Sequence, residues 1–167
     1  MQPEKEHSQS TLEHQVLGFM LNHDFYNKVK NIVSKDMFAG RDATIFDVIS
    51  YGHKEYGIDI DPNQLTALVS DRNPAMPSSA IGEIQTIVSN LSGKVSDDMS
   101  LEHDVVKNFW VRDRARQIGE KAIAIFTGES EHFGELKTLI DMVEDGRMTD
   151  KTTYSEMDKD FTQLVEE

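Results

Sequence analysis

The stretch from Ser100 to about Thr127 constrains the fold more than any other part of the chain. Its apolar residues recur at three- and four-residue steps, which predicts one long helix closed by Gly128. Leu101, Val105, Phe109, Val111, Ala115, Ile118, Ala122, Ile123, Ile125 and Phe126 spread over an arc of roughly 200°, where an ordinary surface helix needs a stripe of roughly 100°. Val106 and Trp110 fall outside even that arc. A second periodic stretch carries Phe133, Leu136, Ile140 and Val143 and ends at Gly146, so the two read as a helical hairpin. One partner helix cannot cover so wide a face. Either the hairpin folds back onto the rest of the chain, or it packs against another subunit.

The segments before it also have helical periods. Ser10 and Glu13 form a capping-box pattern ahead of Leu12, Val16, Phe19 and Met20. A short helix from about Asp24 turns Phe25, Val29, Ile32 and Val33 inward. Met37, Phe38 and Gly40 read as a turn packed on the core. A helix from about Arg41 places Ile45, Phe46, Ile49, His53 and Tyr56 on one side and ends at Gly57. Asp61-Pro62-Asn63-Gln64 opens the next, with Asp61 as cap, Pro62 at the first helical position and Gln64 reaching back. Leu65, Leu68 and Val69 are its buried side. After Pro74 and Pro77, Ile81, Ile84, Ile87, Val88 and Leu91 define a fifth helix. The polar residues 92–99 are the best boundary. No segment has a convincing strand alternation. The expected fold is all-α: a small helical bundle over 10–98, a helical hairpin over 99–146, and an acidic tail over 147–167 with a last helix around Tyr154–Val165.

The chain has 167 residues, a net charge of −13 and no cysteine. The absence of cysteine excludes disulfides and thiolate metal sites. The acidic balance argues against gripping a nucleic-acid backbone as the main task. The charge is uneven: residues 101–128 carry five bases and four acids, and residues 129–167 carry four bases and twelve acids. No run approaches a membrane span and the N-terminus lacks a signal-peptide layout, so a cytoplasmic location is expected.

Catalytic patterns are missing. There is no phosphate-cradling glycine loop, no dinucleotide fingerprint and no serine in a nucleophile elbow. His23-Asp24 and His103-Asp104 are His-Asp dipeptides, which one helical class of metal phosphohydrolases uses. Here His103-Asp104 needs His53 or His132 and a further acid nearby. Trp110 has two readings, an interface anchor or a large core residue. Arg112 falls within the apolar arc, either snorkelling or pairing across subunits.

The order of these features resembles the N-terminal domain of DnaB-type replicative DNA helicases. Glu13-His14-Gln15-Val16-Leu17-Gly18-Phe19-Met20-Leu21 is similar to that family's first helix, and Phe25 to Val33 to its second. Lys35-Asp36-Met37-Phe38 resembles its acid-then-Phe turn, and Ile45-Phe46-Asp47-Val48-Ile49 its Ile-Phe helix. Tyr56-Gly57-Ile58-Asp59-Ile60 followed by Leu65 matches a further segment. The long helix with Val106, Arg112 and Ala115, then a glycine and an acidic stretch before Leu136, looks like the family's hairpin. The likeness spans about residues 10–146. The region Ser70–Ser100 departs from it by lacking a longer glycine-containing connection, a trimming similar to phage-encoded members.

The resemblance implies a non-catalytic collar domain that assembles subunits through its hairpins and receives primase or a helicase loader during DNA replication. ATP and Mg would belong only to a motor domain that this sequence does not contain; no cofactor or metal is expected here. The surface expected to self-associate or meet a partner comprises Phe109, Trp110, Ile118, Phe126, Phe133, Leu136 and Ile140. The alternatives are a stand-alone phage adaptor that loads or inhibits a helicase, and a metal phosphohydrolase built on His103-Asp104.

Overall fold

A computed structural model describes the backbone of residues 4–146 and the side chains of residues 11–146. Among the described residues there are seven α-helices, one short 3-10 helix and no strand. In chain order these are α1 (Glu4–Phe19), α2 (His23–Val29), the 3-10 turn Lys35–Met37, α3 (Gly40–Tyr56), α4 (Pro62–Arg72), α5 (Ser78–Ser89), α6 (Ser100–Phe126) and α7 (Phe133–Asp145). The expected helix over Tyr154–Val165 lies outside the described residues.

Local chemistry sets most of the ends. Asn22 caps α2 by accepting from the Phe25 amide at 2.9 Å. Asp61 accepts from the Asn63 amide at 2.8 Å while the Asp61 amide donates to Gln64 at 3.1 Å, so the proposed cap of α4 forms. Gly57 closes α3 at φ 63° and Gly146 closes α7 at φ 61°, left-handed conformations that a Cβ disfavours. The expected start at Ser10 is corrected, because α1 begins at Glu4. Glu13 is not a capping residue at all: it is buried in the bundle.

The chain divides into two compact units that part between Phe109 and Trp110, inside α6. In the first, α3 is the central element and packs on α1, α4, α5 and the 3-10 turn. Val16, Leu17, Met20, Phe25, Ile45, Ile49, Leu65 and Ile84 are sealed from water there. Burying a side chain of this size contributes ~1.5–3 kcal/mol, which is why periods of three and four decide the helix faces. Tyr56, expected inside, stands 58% exposed at the end of α3, beside Ile58. The first part of α6 belongs to this unit: Phe109 is buried, with its ring 5.0 Å from Phe38, which in turn stacks on Phe46 at 5.1 Å. The packing division therefore falls later than the polar break at 92–99.

The segment after α5 closes the unit by crossing α1 at a glycine. A Cβ on Gly18 would lie 2.7 Å from the Ser92 carbonyl oxygen and 3.1 Å from its nitrogen. That approach is to backbone, which cannot rotate away. Gly18→Ala is expected to destabilise the protein by ~2–3 kcal/mol through displaced backbone, as for other overpacked sites. Urea denaturation tests this, and a midpoint unchanged from the parent would remove the argument.

Candidate interaction surface

The start of α6 is fixed by polar bonds. Asp98 accepts from the Ser100 amide at 3.2 Å and its hydroxyl at 3.1 Å, which holds the Asp98 carboxyl below its usual range. The buried Glu102 accepts from the Ser96 amide at 2.7 Å and hydroxyl at 2.6 Å, and these bonds lower its pKa too. Glu102, Val106, Phe109, Trp110, Asp113 and Arg114 are the buried residues of α6. That face differs from the broad apolar arc read from sequence. Leu101, Ala115, Ala122 and Ile123 of that arc are exposed, whereas Val106 and Trp110, which lay outside it, are fully buried. The arc weighed hydrophobicity alone; the buried face also takes in two acids, Glu102 and Asp113, and the Arg114 side chain.

In the second unit, Asp113 accepts from Arg116 Nη2 at 2.7 Å and from Gln117 Nε2 at 2.8 Å, with Arg114 Nη1 at 3.6 Å. Arg116 also donates to Glu120 at 2.7 Å, and these carboxylates raise its pKa. The Arg114 guanidinium sits 5.3 Å from the centre of the Trp110 ring. Sequence reading singled out Arg112, which is exposed, and missed Arg114, which is buried. The Asp113-to-Arg116 and Asp113-to-Gln117 spacings of three and four were the signal that could have marked this network.

The C-terminal part of α6 and α7 lie together as a hairpin. Their connection turns at Gly128 (φ 80°), and the Glu129 and Ser130 amides donate to the Ala124 carbonyl at 2.9 and 3.2 Å. Lys121 on α6 bonds Glu135 on α7, which lowers the Glu135 pKa. Leu139 is fully buried. The hairpin leaves large apolar residues open to water: Phe126 is 91% exposed, Phe133 65%, Ile123 64% and Ile140 39%. Ile123 and Phe126 are one turn apart on α6; Phe133, Leu136 and Ile140 fall at steps of three and four on α7.

Of the seven residues expected to self-associate, the structure therefore separates two groups. Phe126, Phe133 and Ile140 are exposed and Ile118 and Leu136 are partly so, whereas Phe109 and Trp110 are buried within their own chain and offer no free surface. Ile123, exposed on the same hairpin, was not among them. Among the described residues, no group of three or more His, Asp or Glu side chains is placed to hold a metal ion. His103 and Asp104 are exposed and line a shallow groove with Phe25, Lys28, Asp98, Met99 and Ser100. The ligand set on which the phosphohydrolase alternative depends is thus not assembled there. No helix among the described residues is long and apolar enough to cross a membrane.

These features define an all-α protein with a helical hairpin that carries uncovered apolar side chains. Comparison with family models, with curated proteins and with solved structures finds no match to this chain.

Proposed function

We propose that the chain is a non-catalytic collar domain of a DnaB-type replicative DNA helicase, which assembles subunits through its hairpin and receives primase or a helicase loader. The observation that carries the reading is the set Ile123, Phe126, Phe133 and Ile140, large apolar residues that stand exposed among the described residues. Aromatic side chains in this position are the usual anchors of protein interfaces, because burying them removes much apolar area at little conformational cost. The ordered motifs from Glu13 to Leu136 supply the family resemblance.

Sedimentation velocity over a range of concentrations tests the assembly role. The parent chain is expected to associate, and Phe126→Asp with Phe133→Asp to weaken association by about a hundredfold or more, since an interface anchor contributes ~2 kcal/mol or more. Both residues are largely exposed, so the variant is expected to keep its helical circular dichroism. A parent that stays monomeric at high micromolar concentration would count against the reading, as would a double variant that associates like the parent.

A further inference from the structure

A groove of about 500 Å³ lies between α2 and α3, lined by Tyr26, Asn27 and Lys30 from one side and Ser50, Tyr51, His53 and Lys54 from the other. Its volume suits a small organic ligand, for which pockets run from roughly 300 to 1,000 Å³. Its charge is the opposite of the molecule's. The chain has 30 acidic and 17 basic residues, yet this lining holds two lysines and no carboxylate. Outside the lining, the Arg72 guanidinium of α4 lies over the Tyr51 ring, 3.7 Å from its centre.

The wall of the groove is ordered by one directed chain of hydrogen bonds. Lys30 Nζ donates to Asn27 Oδ1 at 3.1 Å, and Asn27 Nδ2 donates to His23 Nε2 at 3.0 Å. His23 Nδ1 meets His53 Nδ1 at 3.0 Å, and His53 Nε2 meets the Met20 carbonyl at 2.6 Å. The two ends set the direction, because an ammonium can only donate and a carbonyl can only accept. In this chain His53 donates from Nε2 and His23 from Nδ1, while His23 Nε2 and His53 Nδ1 accept. Burial, which lowers the His53 pKa, agrees with an accepting Nδ1 there. Tyr26 stacks on the His53 ring at 4.4 Å, so the network also fixes the Tyr26 ring. The groove then presents two ammonium groups, a serine hydroxyl and two phenols against aromatic surface.

We infer that this groove binds a phosphomonoester joined to a planar ring: a nucleoside monophosphate, free or as the 5′-phosphorylated end of a single strand. Lys30 and Lys54 neutralise the phosphate dianion, Ser50 donates to it, and Tyr26 and Tyr51 supply surface for the base. The inference does not depend on the hairpin or on the collar reading.

The test is an amide-shift NMR titration of the full chain at low salt, with adenosine monophosphate, a 5′-phosphorylated oligonucleotide and the same oligonucleotide without its phosphate. Saturable shifts at Tyr26, Lys30, Tyr51 and Lys54 with either phosphorylated probe support the inference, and the tighter of the two identifies the source. Lys30→Gln with Lys54→Gln is expected to weaken binding about tenfold or more while leaving the remaining amides in place, since both lysines are exposed. No saturable shift with any probe overturns it. So does equal binding of the unphosphorylated strand, or affinity unchanged in the double variant.

Discussion

Trp110→Ala is expected to lower the unfolding free energy by ~3–5 kcal/mol, the range for emptying a fully buried tryptophan site. Trp110 is the largest fully buried side chain among the described residues, and Arg114 lies over its ring. Its indole N–H has no acceptor among the described residues, so Trp110→Phe, which keeps the ring packing and deletes that group, is expected to cost markedly less. Guanidinium denaturation of the two variants makes the comparison. The result also separates the two readings of this residue. A core tryptophan moves stability; an interface anchor moves association and leaves the isolated chain nearly as stable as before. Because Trp110 is the single tryptophan of the chain, its fluorescence reports on its own surroundings, and blue-shifted emission that is independent of concentration is expected. A Trp110→Ala chain as stable as the parent would sink the burial argument.

Glu13→Gln is expected to stabilise the protein at alkaline pH, by on the order of 2 kcal/mol at pH 9. Glu13 is buried beside Asp42, and its pKa is pushed up to about 8 from 4.5, chiefly by loss of water and then by the neighbouring Asp42 carboxylate. Asp42 also bonds His14 Nε2 at 3.1 Å, while the Ala39 backbone bond to Glu13 works in the opposite direction. The sign follows from proton uptake. In the unfolded chain Glu13 ionises near pH 4.5; in the folded chain it holds its proton to about pH 8. Its contribution is fully present below pH 4.5 and is lost as the pH rises through 8. Glutamine keeps a donor facing Asp42 and has no proton to lose. Melting curves for parent and variant are therefore expected to diverge between pH 5 and 9, with the variant ahead at the alkaline end. Parallel curves across that interval would show that the pair does not share a proton.

Glu13 also illustrates what could be read in advance. As a sequence, Ser10 and Glu13 fit a capping box, and nothing local distinguishes that from a helix running through both. The alternative appears only when α3 brings Asp42 and its N-cap residue Ala39 against Glu13. The caps of α4, α3 and α7 were legible because they are formed by neighbours: Asp61 with Gln64, Gly57 and Gly146. The face of α6 was not, since Val106 and Trp110, which lie outside its apolar arc, are the residues fully buried. The groove between α2 and α3 was invisible too, because Lys30 and Lys54 are far apart in the chain and become neighbours only across two helices.

The sequence by itself determined that this protein is built of helices, where most of them begin and end, and that a hairpin follows the bundle. Those outcomes rest on interactions within a few residues, which recur wherever the same residues do. Tertiary structure alone decided which apolar residues escape to the surface, which acid keeps its proton, and where cations gather in an acidic chain. Each depends on groups distant in sequence, whose burial and mutual fields exist only once the helices have packed.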